Sequence, residues 1–131
     1  CTALLAKYTC PLSGLQGSRP DAHRLEDLGF NLGRQMGLSA SQLSDLNLLA
    51  QVHDLGKVGI PDYILFKTGP LSEEEWQIMR QHPEKGYRIA QSTTDLAGIS
   101  ELILKHHERW DGKGYPQGQT AEHILKKKFS F

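Results

Sequence analysis

The sequence QVHDLGKVGIP, residues 51–61, decides how this chain is expected to fold. His53 and Asp54 stand side by side at the end of a segment with helical periodicity, and Lys57 follows three residues after Asp54. Adjacent residues of a helix point about 100° apart, so the imidazole and the carboxylate can reach one centre from two directions. This pair of ligand types suits Mn, Fe or Zn, and a carboxylate can also bridge two metal ions. The segment therefore predicts a metal site at a helix end, where Lys57 would neutralise a bound phosphate.

Further histidines occur in two downstream clusters. His82 lies in the stretch QHP, and His106 and His107 open the stretch HHERWDGKGYP. Only His23 and His123 of the six histidines lie outside the three clusters. A lone histidine on an apolar face is usually a core residue, whereas several histidines grouped with a carboxylate indicate metal ligands.

Apolar residues recur at helical spacing through most of the chain, which predicts an all-α fold, a helical bundle with a polar centre. Capping boxes predict three helix starts, at Ser18 with Asp21, Ser39 with Gln42, and Ser72 with Glu75. Pro83 follows His82, so His82 is expected to leave the helical region and to cap a helix that starts at Pro83.

The spacing of apolar residues also predicts which helix faces point inward. The expected inward residues are Leu25, Leu28, Leu32 and Met36 on the first helix, Leu43, Leu46, Leu49 and Ala50 on the second, and Leu96, Ile99 and Ile103 on the last. His53 and His106 continue the second and third of these stripes and are therefore expected inside. A tryptophan and a methionine at helical spacing, Trp76 and Met79, are expected in the core.

Four motifs in order resemble the HD-GYP domains. They read HDLGKVGIPDYIL, KTGPLSEEEW, MRQHPEKGY and HHERWDGKGYP, and the resemblance runs from about Asp21 to about Ile124. HD-GYP domains are helical, metal-dependent phosphohydrolases of the HD superfamily, and many of them cleave the bacterial second messenger cyclic diguanylate. The resemblance therefore implies metal-dependent hydrolysis of cyclic diguanylate to the linear dinucleotide or to GMP, with a cyclic dinucleotide as the substrate.

The motifs and the resemblance together indicate a set of metal ligands, namely His53, Asp54, His82, His106 and His107. These donors exceed what one open catalytic zinc uses, and they suit two divalent ions, Fe or Mn, about 3.5–4 Å apart. Asp54 and Lys57 are the expected catalytic residues, and Lys57 would also bind a phosphate oxygen of the substrate.

One further ligand is expected on the first helix. Asp21 shares a face with Leu25, Leu28 and Leu32, whereas His23 lies nearly opposite. The family usually has a histidine here, and an alignment without gaps places Asp21 at its position. Asp21 is therefore the first candidate and His23 its rival, while a purely capping role for Asp21 stays equally open.

Some family members hold a third metal through a glutamate one turn before that ligand. The corresponding residue is Gly17 if Asp21 is the ligand and Arg19 if His23 is. Neither side chain can replace a glutamate, so two metals are expected.

The loop GKGYP, residues 112–116, follows the double histidine. Tyr115 is expected to stack on a guanine or to hydrogen-bond a phosphate, and Arg109 and Asp111 to brace the loop. In the family this loop also contacts diguanylate cyclase domains, so Gly114, Tyr115 and Pro116 form the expected partner surface.

The balance of charge is neutral, because 15 basic residues match 15 acidic ones. Binding to a nucleic-acid polymer driven by net charge is therefore not favoured. No apolar run approaches the roughly 18 residues that cross a bilayer, so no membrane association is expected. Cys1 and Cys10 are expected to be reduced thiols in a cytoplasmic protein.

Three segments are expected along the chain: a linker or short helix at 1–17, an incomplete HD-GYP-like domain at 18–125 and a tail at 126–131. The family continues with two more helices, the first of which carries another metal-binding aspartate. Without them, exposed apolar surface and association into an oligomer are expected. A second hypothesis follows, a non-catalytic regulatory module that keeps metal and meets partners through its GYP loop.

Overall fold

A computed structural model describes residues 18–120, with side chains from residue 24 onward apart from residue 25. The predicted helix at residues 2–8, the two cysteines and the tail at 126–131 lie outside the described residues, as do the side chains of Asp21 and His23. Among the helices within this range, none has both the length and the hydropathy needed to cross a membrane.

The described part of the chain is helical, which confirms the predicted all-α class. Six α-helices follow one another: α1 (Ser18–Gln35), α2 (Ala40–Val52), α3 (Asp62–Leu65), α4 (Glu73–Met79), α5 (His82–Gln91) and α6 (Ser100–Lys105). Two 3₁₀ turns, Leu55–Gly59 and Ala97–Ile99, precede α3 and α6. Within residues 18–120 the β-type pairing is an isolated bridge between Asp111 and Thr120.

Local sequence signals set several helix boundaries as predicted. The Ser39 side chain accepts a hydrogen bond from the Gln42 backbone, and the Gln42 side chain accepts one from the Ser39 backbone, so the capping box of α2 is confirmed. The box of Ser72 and Glu75 starts α4 in the same way. α1 ends just before Gly37, whose φ of 76° suits a residue without a Cβ. The expected start of α5 was wrong by one residue, since the helix begins at His82.

α1 packs closely against α2 at its glycines. A Cβ on Gly33 would lie 2.8 Å from Leu43 Cδ2, so the missing side chain is what lets the leucines of α2 reach the backbone of α1. Leu28, Leu32 and Met36 are instead 68%, 55% and 67% exposed. The inward direction predicted for these three residues was therefore wrong, because close helix packing at glycine took precedence over the apolar periodicity.

The buried core joins α2, α5, α6 and the second 3₁₀ turn. It contains Val52, Ala90, Ile99 and Ile103, so the inward positions predicted for the last helix are confirmed. Trp76 does not belong to the core, since it is 43% exposed on α4. α4 is a short helix without a buried residue, so it has no core face to receive a large aromatic side chain.

The first 3₁₀ turn lies directly against the start of α5. A Cβ added to Gly56 would stand 1.8 Å from the backbone oxygen of His82 and 2.5 Å from the backbone nitrogen of Gly86. Gly86 in turn has room for no side chain, because its Cβ would lie 2.9 Å from Ile103 Cγ2. The two glycines therefore permit a contact between backbones, and this contact brings the end of α2 to the start of α5.

Replacing Gly56 with alanine is expected to disrupt this contact, since the methyl group would overlap backbone atoms that no rotamer change can move. We expect the Gly56→Ala variant to lose roughly 3 kcal/mol or more in free energy of unfolding, measured by urea denaturation. Gly69→Ala is the matched control, because an added Cβ there meets no atom within 4 Å. Equal stability of the two variants would contradict the proposed contact.

Candidate metal centre

Four side chains from three separate parts of the chain converge on one point. Asp54 follows the end of α2, His82 begins α5, and His106 and His107 follow α6. Each contributes one potential ligand atom, and the four atoms all lie within 4.8 Å of one another. His82 is buried, and the other three are half-buried at the edge of the protein. We refer to these four residues as the ligand cluster.

Each of three histidines is oriented by a carbonyl group near the end of the preceding helix. His53 Nδ1 lies 3.0 Å from Ala50 O, His82 Nδ1 2.8 Å from Met79 O, and His106 Nδ1 2.6 Å from Ile103 O. The last four carbonyl groups of a helix lack a partner within the helix, so they are available to accept these bonds. A carbonyl oxygen only accepts, and Nδ1 therefore carries the proton while Nε2 keeps its lone pair.

The Nε2 atoms of His82 and His106 face each other at 3.3 Å. Burial lowers the pKa of His106 to about 4, and burial also lowers the pKa of His82 and of His107. At neutral pH these rings are therefore uncharged, and two lone pairs point at one another. A cation between the two nitrogens would turn this repulsion into attraction, so the donor set fits a bound metal ion.

Asp54 provides a negative charge beside these neutral rings. Burial raises the pKa of Asp54, but the hydrogen bond from Lys57 and the nearby positive charge outweigh it, so the pKa lies below its ordinary value. Lys57 Nζ donates to Asp54 Oδ2 over 2.7 Å. The other oxygen, Oδ1, lies 3.5 Å from His82 Nε2. The carboxylate is therefore ionised, as a metal ligand must be.

His53 lies near the other oxygen of the Asp54 carboxylate from the one that His82 approaches. Its Nε2 is 3.5 Å from Asp54 Oδ2, and its ring centre is 5.4 Å from that of His106. The structure thus brings five of the six predicted ligands together, four in the ligand cluster and His53 at its edge. The sixth, Asp21 or His23, lies on α1 with its side chain outside the described range. The choice between these two residues stays a prediction, although Leu28 and Leu32, which share the face of Asp21, are exposed.

The loop at residues 112–116 covers one side of the ligand cluster. The ring of Tyr115 stacks on His107, with centres 4.7 Å apart and planes 22° apart, and the Tyr115–Pro116 bond is cis. Gly114 approaches the chain so closely that a Cβ would lie 2.3 Å from the Arg109 backbone nitrogen. Burial raises the pKa of Tyr115, so its hydroxyl stays protonated and can donate a hydrogen bond.

Glu108 fixes the segment that follows this loop. Its two carboxylate oxygens accept hydrogen bonds from the backbone of Gln117 over 2.7 Å and of Gln119 over 2.8 Å. Arg109 pairs with Asp111, and Asp111 accepts a bond from the Lys113 backbone, as expected of residues that brace the loop. Sequence reasoning missed Glu108, although its place next to the double histidine was a signal that it could act on the same loop.

A cavity of about 440 Å³ opens beside the ligand cluster. Three basic side chains line it, namely Arg80, Arg109 and Lys113, against one carboxylate, Glu108, and the remaining lining residues are His106, His107, Gly114 and Tyr115. Sequence reasoning also missed Arg80, because nothing in the sequence relates it to a loop more than thirty residues away. A basic cavity next to a metal centre suits an anionic ligand such as a phosphodiester.

Comparison with known proteins agrees with this geometry. The profile of the HD domain family matches residues 5–125. The chain therefore belongs to the HD domain family, and the predicted resemblance to its HD-GYP type is confirmed. Divalent metal binding is a property of this family, and the ligand cluster is compatible with it.

Several relatives are phosphodiesterases of cyclic dinucleotides. The cyclic di-GMP phosphodiesterase of Thermotoga maritima is 44% identical over 110 residues, which cover 79% of this chain and 30% of that protein. The cyclic di-GMP phosphodiesterase response regulator RpfG of Xanthomonas campestris is 36% identical, over 82% of this chain and 29% of that protein. The 3'3'-cGAMP-specific phosphodiesterase 2 of Vibrio cholerae is 42% identical, over 71% of this chain and 18% of that protein. The chain thus spans less than a third of the length of these relatives.

Lowering the pH is expected to destabilise the metal-free protein. Histidines of the unfolded chain bind protons below their ordinary pKa of 6.5, whereas His106 in the folded protein binds one only near pH 4. The unfolded state therefore holds more protons between these values, so the free energy of unfolding decreases as the pH falls through this range. Urea denaturation in the presence of a chelator at pH 7 and pH 5 measures the difference. The His106→Gln variant should show a smaller difference in free energy of unfolding between the two pH values. An unchanged difference would show that His106 is not the source of the pH dependence.

Glu108→Gln is expected to loosen the loop, because an amide has one acceptor oxygen for two backbone donors. We expect a loss of roughly 1 kcal/mol in the protection of the Gln117 and Gln119 amides, measured by hydrogen exchange. Glu101→Gln is the matched control, since the exposed Glu101 carboxylate pairs with Lys105 one turn away on α6 and with neither of these amides. Unchanged exchange at both amides would show that Glu108 does not hold the loop.

Proposed function

We propose that this chain hydrolyses a phosphodiester bond of a cyclic dinucleotide, cyclic diguanylate in the first place, in bacterial second-messenger signalling. The observation that carries the proposal is the convergence of Asp54, His82, His106 and His107 within 4.8 Å at the edge of a basic cavity. The names of the relatives support the substrate class, since they include enzymes acting on cyclic di-GMP and on 3'3'-cGAMP. The product is the linear dinucleotide or GMP.

Two divalent ions, Fe or Mn, are the proposed cofactors. The two oxygens of Asp54 face different histidines, with Oδ1 near His82 and Oδ2 near His53. One ion would be held by Asp54 with His82, His106 and His107, and the other by Asp54 with His53 and a ligand from α1, Asp21 or His23. When bound, such a pair supplies an activated water and Lewis-acid stabilisation of the phosphate.

The chain's own residues would orient and neutralise the substrate. Asp54 and Lys57 are the proposed catalytic residues, since the ammonium group of Lys57 lies at the ligand cluster and can stabilise charge that develops on a phosphate oxygen. Tyr115 is the proposed substrate-binding residue of the loop, because its ring lines the cavity and its protonated hydroxyl can donate to a phosphate. The closely packed Gly114 keeps this ring against His107.

A regulatory role without catalysis is the second candidate. The observation in its favour is Trp110, which is 67% exposed in the segment leading into the GYP loop and therefore suits a partner surface. Diguanylate cyclase domains contacting Gly114, Tyr115 and Pro116, a cytoplasmic location and association into an oligomer are part of both proposals.

Two substitutions at the ligand cluster test the proposed enzyme. Asp54→Asn is expected to lose both bound metal and turnover, because the amide lacks the charge that the ions need. Lys57→Gln is expected to keep its metal and to lose about 10²–10³-fold in kcat, as when one stabilising group is removed from a transition state. Elemental analysis of protein purified without chelator or oxygen measures the metal, and chromatography of cyclic diguanylate products measures turnover.

The same measurements separate the two candidates. A wild-type chain that holds two metal ions but cleaves neither cyclic di-GMP nor 3'3'-cGAMP would overturn the enzymatic proposal and favour the regulatory one. Full activity in Asp54→Asn would place the catalytic centre elsewhere.

A further inference from the structure

Arg80 lies at the end of α4, between two aromatic rings. Its guanidinium carbon is 5.8 Å from the centre of the Tyr115 ring and 5.9 Å from that of Trp76. Tyr115 in turn stacks on His107 of the ligand cluster. The side chains of His107, Tyr115, Arg80 and Trp76 therefore form a continuous row of contacts that begins at the ligand cluster, and we refer to it as the aromatic row.

Arg80 also differs from Arg109 in its ion pairing. Within residues 24–120 no carboxylate forms an ion pair with it, whereas Arg109 pairs with Asp111 over 2.8 Å. Lys113 also lines the cavity but carries its charge on a flexible stem that would lose entropy on binding. The guanidinium carbon lies over the Trp76 and Tyr115 rings, and contacts of this kind leave the N–H donors of an arginine able to form hydrogen bonds. Such a group is suited to bind a phosphate through two hydrogen bonds.

A cyclic dinucleotide contains two phosphodiester groups, each with one negative charge. The ligand cluster and Lys57 account for the phosphate that is cleaved, and the second phosphate must lie elsewhere in the cavity. Arg80 lines the same cavity as His106 and His107, and its guanidinium group lies over the ring of Tyr115. It therefore offers a positive charge at a second position, apart from the ligand cluster.

We propose that Arg80, held between Tyr115 and Trp76, binds the phosphate of the cyclic dinucleotide that is not cleaved. This inference rests on the proposed function and adds a residue that selects ligands with two phosphates over ligands with one. Trp76, exposed at the end of the aromatic row, has the flat face on which a base of the same ligand stacks.

The test compares binding with turnover in Mn-loaded protein. Binding of a slowly hydrolysed phosphorothioate analogue of cyclic diguanylate is measured by titration calorimetry. Hydrolysis of bis(4-nitrophenyl) phosphate, which has one phosphodiester group, reports on the ligand cluster alone. We expect Arg80→Gln to weaken binding of the analogue about 10- to 100-fold and to leave hydrolysis of the small substrate unchanged. Arg80→Lys should recover part of the affinity, because it keeps the charge but not the planar donors.

Arg88→Gln is the matched control, since it removes the same charge from an exposed position on α5 and should leave both readouts unchanged. Equal affinity in the wild type and Arg80→Gln would overturn this inference and leave the proposed function intact. A parallel loss of bis(4-nitrophenyl) phosphate hydrolysis would also overturn it, because Arg80 would then act by positioning Tyr115. A wild-type chain that does not bind the analogue would overturn the inference together with the choice of substrate.

Discussion

The hydrogen bond from a histidine Nδ1 to a carbonyl near a helix end is the interaction on which the candidate site depends. It occurs at His53, His82 and His106, and each time it satisfies a carbonyl group that the helix itself cannot use. The same bond determines which ring nitrogen carries the proton and turns Nε2 toward the ligand cluster. The carbonyl groups at these helix ends therefore also set the orientation of the histidine rings. The carboxyl ends of helices also carry partial negative charge, which favours a cation beside them.

These helix ends meet because two backbones approach without side chains between them. Gly56 and Gly86 allow the first 3₁₀ turn to lie on α5, so that Asp54 and His82 become neighbours. A half-buried group of neutral imidazoles and one carboxylate would be unfavourable for a fold that served only stability, because it places lone pairs against one another. The balance changes when a cation is bound, and the stability of the fold and its affinity for metal are expected to be coupled.

Local signals in the sequence were sufficient for the helical class, for the capping boxes at Ser39 and Ser72, and for the inward direction of Ile103. They were insufficient where two patterns competed. The leucines of α1 have a clear helical period, yet Gly33 provides the packing face, since a shorter distance between helices buries more surface. Trp76 was assigned to a core that its short helix does not have.

The sequence by itself determined the residue types of the site and their order, because metal ligands, turn glycines and capping residues are each chemically distinctive. His53, Asp54 and the paired histidines were recognisable as candidate ligands from these properties together with the resemblance to the HD-GYP motifs. Only the tertiary structure decided which groups face which, because distances between residues far apart in sequence depend on how the helices pack. The separation of the two Asp54 oxygens between His53 and His82, and the place of Arg80 beside Tyr115, follow from that packing.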